Sequence, residues 1–140
     1  MVWAQLRDQL EGELAAGKVA VLHLSTAAGQ MLAPVRYRST GLVLDCLLPR
    51  WLDGVQGLSA DTQVRLITLP TGDGHLKWLD LQGTARPIPR ARWPDPLPRH
   101  SPYLAPEELH EWVRIHPSRL QRFDEATGWG IQSTLDLWTR

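Results

Sequence analysis

A single cysteine, Cys46, occurs in the 140 residues, which excludes an intramolecular disulfide and any cysteine-based zinc cage. Net charge is missing too, because fifteen basic and fifteen acidic side chains cancel. Nucleic-acid binders normally carry a basic excess gathered on one face, so this balance argues against such a partner. Uncharged apolar runs reach only about six to eight residues, far short of the roughly 20 that span a bilayer as a helix. The opening Met-Val-Trp-Ala-Gln-Leu-Arg-Asp is charged by Arg7 and has no signal-peptide apolar region. The expectation is a reduced, cytoplasmic protein with neither membrane nor nucleic acid as partner. The common catalytic signatures are absent as well: no Gly-x-Ser-x-Gly, P-loop, Gly-x-Gly-x-x-Gly or His-Glu-x-x-His occurs.

What is present is enough for a folded domain. At 43% apolar and 21% charged residues the chain is not disordered by composition. Its length suits one domain over residues 1–140, with a real core. Two counts are high: seven tryptophans, and eleven prolines of which seven fall between residues 87 and 106.

Trp3, Leu6, Leu10 and Leu14 recur at intervals of three and four, predicting an amphipathic helix over 3–16 within an N-terminal segment 1–17. Gly17 stands where a left-handed C-cap would go. Short apolar runs then predict strands over 19–24, 31–38, 42–48, 64–69, 75–85 and 131–138. In the second, Val35 and Tyr37 alternate with Arg36 and Arg38, while Pro34 argues against a central ladder position. Turns are expected at 25–30, 39–41 and 71–74, and a short helix over 51–60 from Leu52, Val55 and Leu58. Residues 86–106, with Arg86, Arg90, Arg92 and Arg99, read as an extended connection unable to supply ladder hydrogen bonds. Glu111–His116 alternates, a turn is expected at Pro117-Ser118, and Glu107-Glu108 suits a helical start. Short strands joined by tight turns predict a mainly β fold, an antiparallel sheet or small barrel with few peripheral helices.

Candidate chemistry is sparse. Cys46, mid-strand among leucines, reads as a buried inert thiol. His110 and His116, six apart on one strand face, are surface histidines or two ligands of a metal lacking a third. Arg36 and Arg38 share one side of a strand and Arg50 closes the next, so they are either solvated face residues or a clamp for a phosphate. The tryptophans fill a core or an interface, or one or two, such as Trp51 and Trp129, flank a planar ligand.

The order of these pieces resembles the pyridoxamine 5′-phosphate oxidase-like family of FMN-binding split barrels. The likeness runs from about Val19 to Leu137. It rests on Val19-Ala-Val-Leu-His-Leu-Ser-Thr, Met31-Leu-Ala-Pro-Val-Arg-Tyr-Arg, Gly41-Leu-Val-Leu-Asp-Cys and Leu58-Ser-Ala-Asp-Thr-Gln-Val-Arg-Leu. Leu79-Asp-Leu-Gln-Gly-Thr-Ala and Val113-Arg-Ile-His-Pro-Ser-Arg-Leu-Gln-Arg-Phe-Asp continue it, followed by Gly128-Trp-Gly. The resemblance implies an antiparallel split β-barrel, a homodimer, and FMN in a groove at the subunit interface with its phosphate on basic residues. Those positions fall on Arg36 and Arg38, with Arg50, Trp51 and Trp129 as further candidates. The family's Ser-x-Lys/Arg step before the short helix is not matched; Pro49-Arg50-Trp51 lies near it and Gly54 falls where the basic residue is expected. The oxidases' C-terminal substrate-phosphate motif has no counterpart, so pyridoxamine phosphate oxidation itself is not expected. The implied function is a flavin-dependent oxidoreductase; the alternative is a non-catalytic binder of FMN, haem or another planar ligand, or of none. Arg86–Arg99 is either a docking strip for an acidic partner or a loop wrapping a dimer mate.

Overall fold

A computed structural model describes residues 3–26, 29–50, 58, 62–68, 74–95, 109–128 and 132–137. Apart from Leu58, the expected helix at 51–60 lies outside the described residues, as do the Glu107-Glu108 start, Trp51 and Trp129. Among the described residues one helix, α1 (Trp3–Ala16), precedes seven strands: β1 (Val19–Thr26), β2 (Gly29–Thr40), β3 (Val43–Pro49), β4 (Thr62–Thr68), β5 (Lys77–Pro87), β6 (His110–Asp124) and β7 (Gln132–Asp136). All pairings are antiparallel, in the order β3-β2-β1-β4-β5-β6-β7. A further β3–β6 pairing closes six of the strands into a barrel. Among the described residues no helix is long and apolar enough to cross a membrane.

Period-two alternation decides which side chains fill the barrel. Leu22, Leu24, Val35, Tyr37, Leu44, Cys46, Leu66, Leu81 and Ile115 point inward and are buried. The helix adds Leu6, Leu10 and Leu14 to the same cluster. Each fully buried leucine contributes roughly 1.5–3 kcal/mol, which is why a helix too short to persist alone is held here. Arg122 on β6 strengthens the attachment, bonding Glu13 of α1 at 2.7 Å and Asp124 at 3.0 Å.

Several local expectations change. Gly17 is not left-handed; its amide reaches the Glu13 and Leu14 carbonyls, and a Cβ there would lie 2.2 Å from the Tyr37 hydroxyl. Close approach, not conformation, requires that glycine. The turn at 25–30 is shorter, because Ser25 pairs with Gln30 and Thr26 with Gly29. Pro34 sits inside β2 without breaking a ladder: β3 pairs only with residues 36–40, so among the described residues β2 is an edge at Pro34. Arg86 and Pro87 belong to β5 and face Arg114 and Val113, so the proline-rich connection begins as sheet.

The largest correction concerns Pro117-Ser118, which is no turn. β6 runs through it as one strand of 15 residues. Gly83 of β5 faces Pro117 and Gln82 faces Arg119, leaving Ser118 as an extra residue, a β-bulge. The bulge explains the phase break in the sequence: Val113 and Ile115 point inward before it, Leu120 after it. It also marks where one edge of β6 changes partner, from β3 at residues 110–115 to β7 at 119–123. Pro117 falls between the two ladders, where its missing N–H costs no sheet bond.

Candidate functional site

With the interior filled by apolar side chains, chemistry is confined to the outward-facing set. Cross-strand register arranges those residues in rows. One row runs Arg38, Asp45, Arg114 and Arg86 across β2, β3, β6 and β5. The next runs Arg36, Leu47 and Trp112, and continues to Ile88, whose amide bonds the Trp112 carbonyl at 2.9 Å.

Leu47, Ile88 and Trp112 form a small second core outside the barrel, with Trp93 packed on it. Trp93 Nε1 donates to the Ile88 carbonyl at 2.9 Å, and the Arg38 guanidinium lies 5.7 Å from the Trp112 ring centroid. The Trp112 indole is wholly buried, yet its Nε1 has no hydrogen-bond partner among the described residues. Arg114 is bidentate to Asp45, at 2.8 and 3.2 Å, and that hydrogen bonding raises the guanidinium pKa.

Alternation brings Arg36 and Arg38 to one outer face of β2. Arg36 is exposed, facing Val19 of β1 and Leu47 of β3, whereas Arg38 is half-buried. Arg50 follows β3, its amide bonded to the Leu109 carbonyl and its Nε 2.9 Å from Glu111 Oε1. That Nε is buried and forms no hydrogen bond among the described residues, so Glu111 supplies charge without alignment.

Further along the outer face, β1, β2 and β4 enclose a depression of about 270 Å³ lined by Val21, His23, Leu32, Arg65 and Ile67. Leu32 is 68% exposed, unusually open for a leucine beside an apolar hollow. Both polar members of the lining are fixed. His23 Nε2 lies 3.1 Å from Gln30 Oε1, and Arg65 forms a bidentate pair with the buried Asp80. The Asp80 hydrogen bonds raise the Arg65 pKa, so its charge is permanent. Leu32 and Arg36 are four residues apart on one strand, about 13 Å. A cation therefore stands in line with an apolar hollow on one continuous surface.

Other candidates resolve differently. His110 and His116 stand at opposite ends of one outward-facing stretch of β6, about 20 Å apart, too far to share an ion. Among the described residues no group of three or more histidine, cysteine, aspartate or glutamate side chains is placed to hold a metal. Cys46 is wholly buried inside the barrel, and burial, followed by the Asp45 charge, raises its thiol pKa. Trp112, Arg65 and Asp80 escaped the sequence reading because their importance lies in cross-strand neighbours. The visible signal was an arginine, Arg65, alternating with Val64 and Leu66 along β4.

No protein-family model matches the chain, and no curated protein is significantly similar to it. Solved structures are similar in shape. One is a Clostridium acetobutylicum protein related to general stress protein 26 of B. subtilis, of the pyridoxinephosphate oxidase family. It is 12% identical, with a TM-score of 0.71 over 97% of each chain. The FAD binding protein of Mycobacterium smegmatis is 11% identical, with a TM-score of 0.57 over 89% of this chain and 95% of that one. A heme binding protein of Mycobacterium smegmatis is 15% identical, with a TM-score of 0.66, covering 90% of this chain and 56% of that one. The fold is the split barrel of the pyridoxamine 5′-phosphate oxidase-like proteins.

Proposed function

We propose that this chain binds a flavin, FMN, on the outer face of the barrel and acts as a flavin-dependent oxidoreductase, a cytoplasmic homodimer. The observation that carries the reading is the alignment of the apolar depression with Arg36 along β2. The residues present suit such a ligand: a phosphate accepts charged hydrogen bonds from Arg36, with Arg38 beside it, and a ring settles against Val21, Leu32 and Ile67. Arg50, Trp51 and Trp129 remain candidate contacts, the last two contributed by segments beyond the described residues. Bound flavin would supply hydride-transfer chemistry of its own, so this chain has only to bind the phosphate, orient the ring and limit water. The exposed Leu32 and Val19 at the margin of the hollow suit coverage by a second subunit.

Purified protein tests the reading directly. It should be yellow, or become so with FMN, and titration should quench flavin fluorescence saturably; colourless protein that leaves the fluorescence unchanged refutes it. A non-catalytic planar-ligand binder is the second reading. It is favoured by an almost wholly apolar hollow whose two polar side chains, His23 and Arg65, are already committed to Gln30 and Asp80. A Soret band on titration with haem, without flavin binding, would select it.

A further inference from the structure

The outer hollow holds one cation that is fixed in place without being used up. Arg65 lines it and is the cross-strand neighbour of His23, which in turn faces Leu32, so the three form a row across β4, β1 and β2. A guanidinium donates along planar edges, each able to grip a pair of acceptors side by side. Asp80 occupies one such edge of Arg65: its Oδ1 accepts from Nε at 2.9 Å and its Oδ2 accepts from Nη2. The edge formed by Nη1 and the second Nη2 hydrogen has no acceptor among the described residues.

Register fixes where that open edge lies. Arg65 faces Gln82 and Asp80 faces Ile67, so the ion pair is diagonal and draws the guanidinium along β4 towards Ile67 in the apolar lining. The Arg65 side chain is 52% exposed against 4% for Asp80, so the bonded edge is the covered one and the open edge is accessible from the hollow. Held by two bonds, this arginine has already given up the rotamer freedom that a mobile surface arginine would lose on gripping a ligand.

Charge decides what suits the open edge. Asp80 already neutralises Arg65, so a second carboxylate would add an unpaired negative charge beside Val21, Leu32 and Ile67, at a desolvation cost. A neutral planar edge with two adjacent acceptors uses the same fork without that cost. The pyrimidine ring of an oxidised flavin has such an edge, N1 beside the O2 carbonyl. A porphyrin has none, because its nitrogens point to its centre and its peripheral oxygens are carboxylates.

We infer that Arg65 recognises the N1/O2 edge of the flavin ring through its open fork and selects flavin over other planar ligands, an assignment that rests on the flavin reading above. Arg36 on β2 then serves the phosphate and Arg65 on β4 the ring.

1-Deaza-FMN, in which a C–H replaces N1, keeps the phosphate and the ring shape but lacks one of the two acceptors. Isothermal titration of the wild-type protein should show FMN bound about tenfold more tightly than 1-deaza-FMN, as expected for one charged hydrogen bond. In Arg65→Lys, which keeps a cation beside Asp80 but has no fork, the two ligands should bind within about threefold of each other. A wild-type preference under about threefold, or a preference that the variant keeps, overturns the assignment and leaves the flavin reading standing. Absence of FMN binding removes both. Should Arg65→Lys fail to fold, phenylglyoxal labelling of the wild-type protein decides, read by mass spectrometry of the peptide that contains Arg65. Saturating FMN should protect Arg65 from the reagent, and labelling at an unchanged rate overturns the assignment.

Discussion

The Tyr37 hydroxyl donates to the Leu14 carbonyl at 2.9 Å, joining the inner face of β2 to the last turn of α1. That carbonyl, in the last turn, also accepts from the Gly17 amide at 3.2 Å, so the hydroxyl occupies its second lone pair. Burial pushes the Tyr37 pKa up to about 12. The folded state therefore favours the neutral phenol. Its contribution is complete below the unfolded value of about 10 and is lost as pH rises through 12, up to about 2–3 kcal/mol. Urea unfolding midpoints should fall steeply from about pH 10 upward. Tyr37→Phe should lower stability by about 1 kcal/mol at neutral pH and flatten that alkaline decline.

Gly83 faces the β6 bulge so closely that an added Cβ would stand 2.3 Å from the His116 carbonyl oxygen and 2.8 Å from Pro117 Cα. Both obstacles are backbone and cannot rotate away. Gly83→Ala should cost about 3 kcal/mol or more, seen as a lower urea midpoint and a fallen melting temperature. Gly12→Ala, where a Cβ meets nothing within 4 Å in the middle of α1, should instead stabilise by about 0.5–1 kcal/mol.

Cys46 gives a chemical reading of barrel integrity. Its thiol is wholly buried and its pKa is raised, so the nucleophilic thiolate is disfavoured on both counts. Native protein should leave a thiol reagent such as dithionitrobenzoate unreacted for hours, whereas denatured protein should react at one thiol per chain. Fast modification of the native protein would mean that the barrel opens.

Replacing Arg36 and Arg38 together by alanine should weaken FMN binding more than tenfold, since each charged hydrogen bond is worth roughly 1.5–3 kcal/mol. Fluorescence titration measures it, and unchanged affinity would move the phosphate elsewhere. Leu32→Arg, which fills the hollow with a charged chain, should abolish ring binding while leaving the fold intact, because Leu32 is already exposed.

Alternation and helical spacing could be read along the chain because each is a local property. Leu6, Leu10 and Leu14 announced one buried helical stripe, and Val35 and Tyr37 against Arg36 and Arg38 announced which face of β2 would turn inward. The family likeness pointed to the split barrel by the order of its strands. What could not be read was which residues meet across strands. Pro117-Ser118 looks like a turn from either side, and only the register of β5 against β6 reveals a bulge that lets one strand serve two partners. In the same way, Arg65 becomes a fixed charge only through Asp80, and Arg114 only through Asp45. Backbone periodicity is set by neighbours in sequence, so the sequence by itself determined the strands, their inward faces and the helix. Register and the outer hollow depend on contacts between residues tens of positions apart, and those were decided by closure of the barrel.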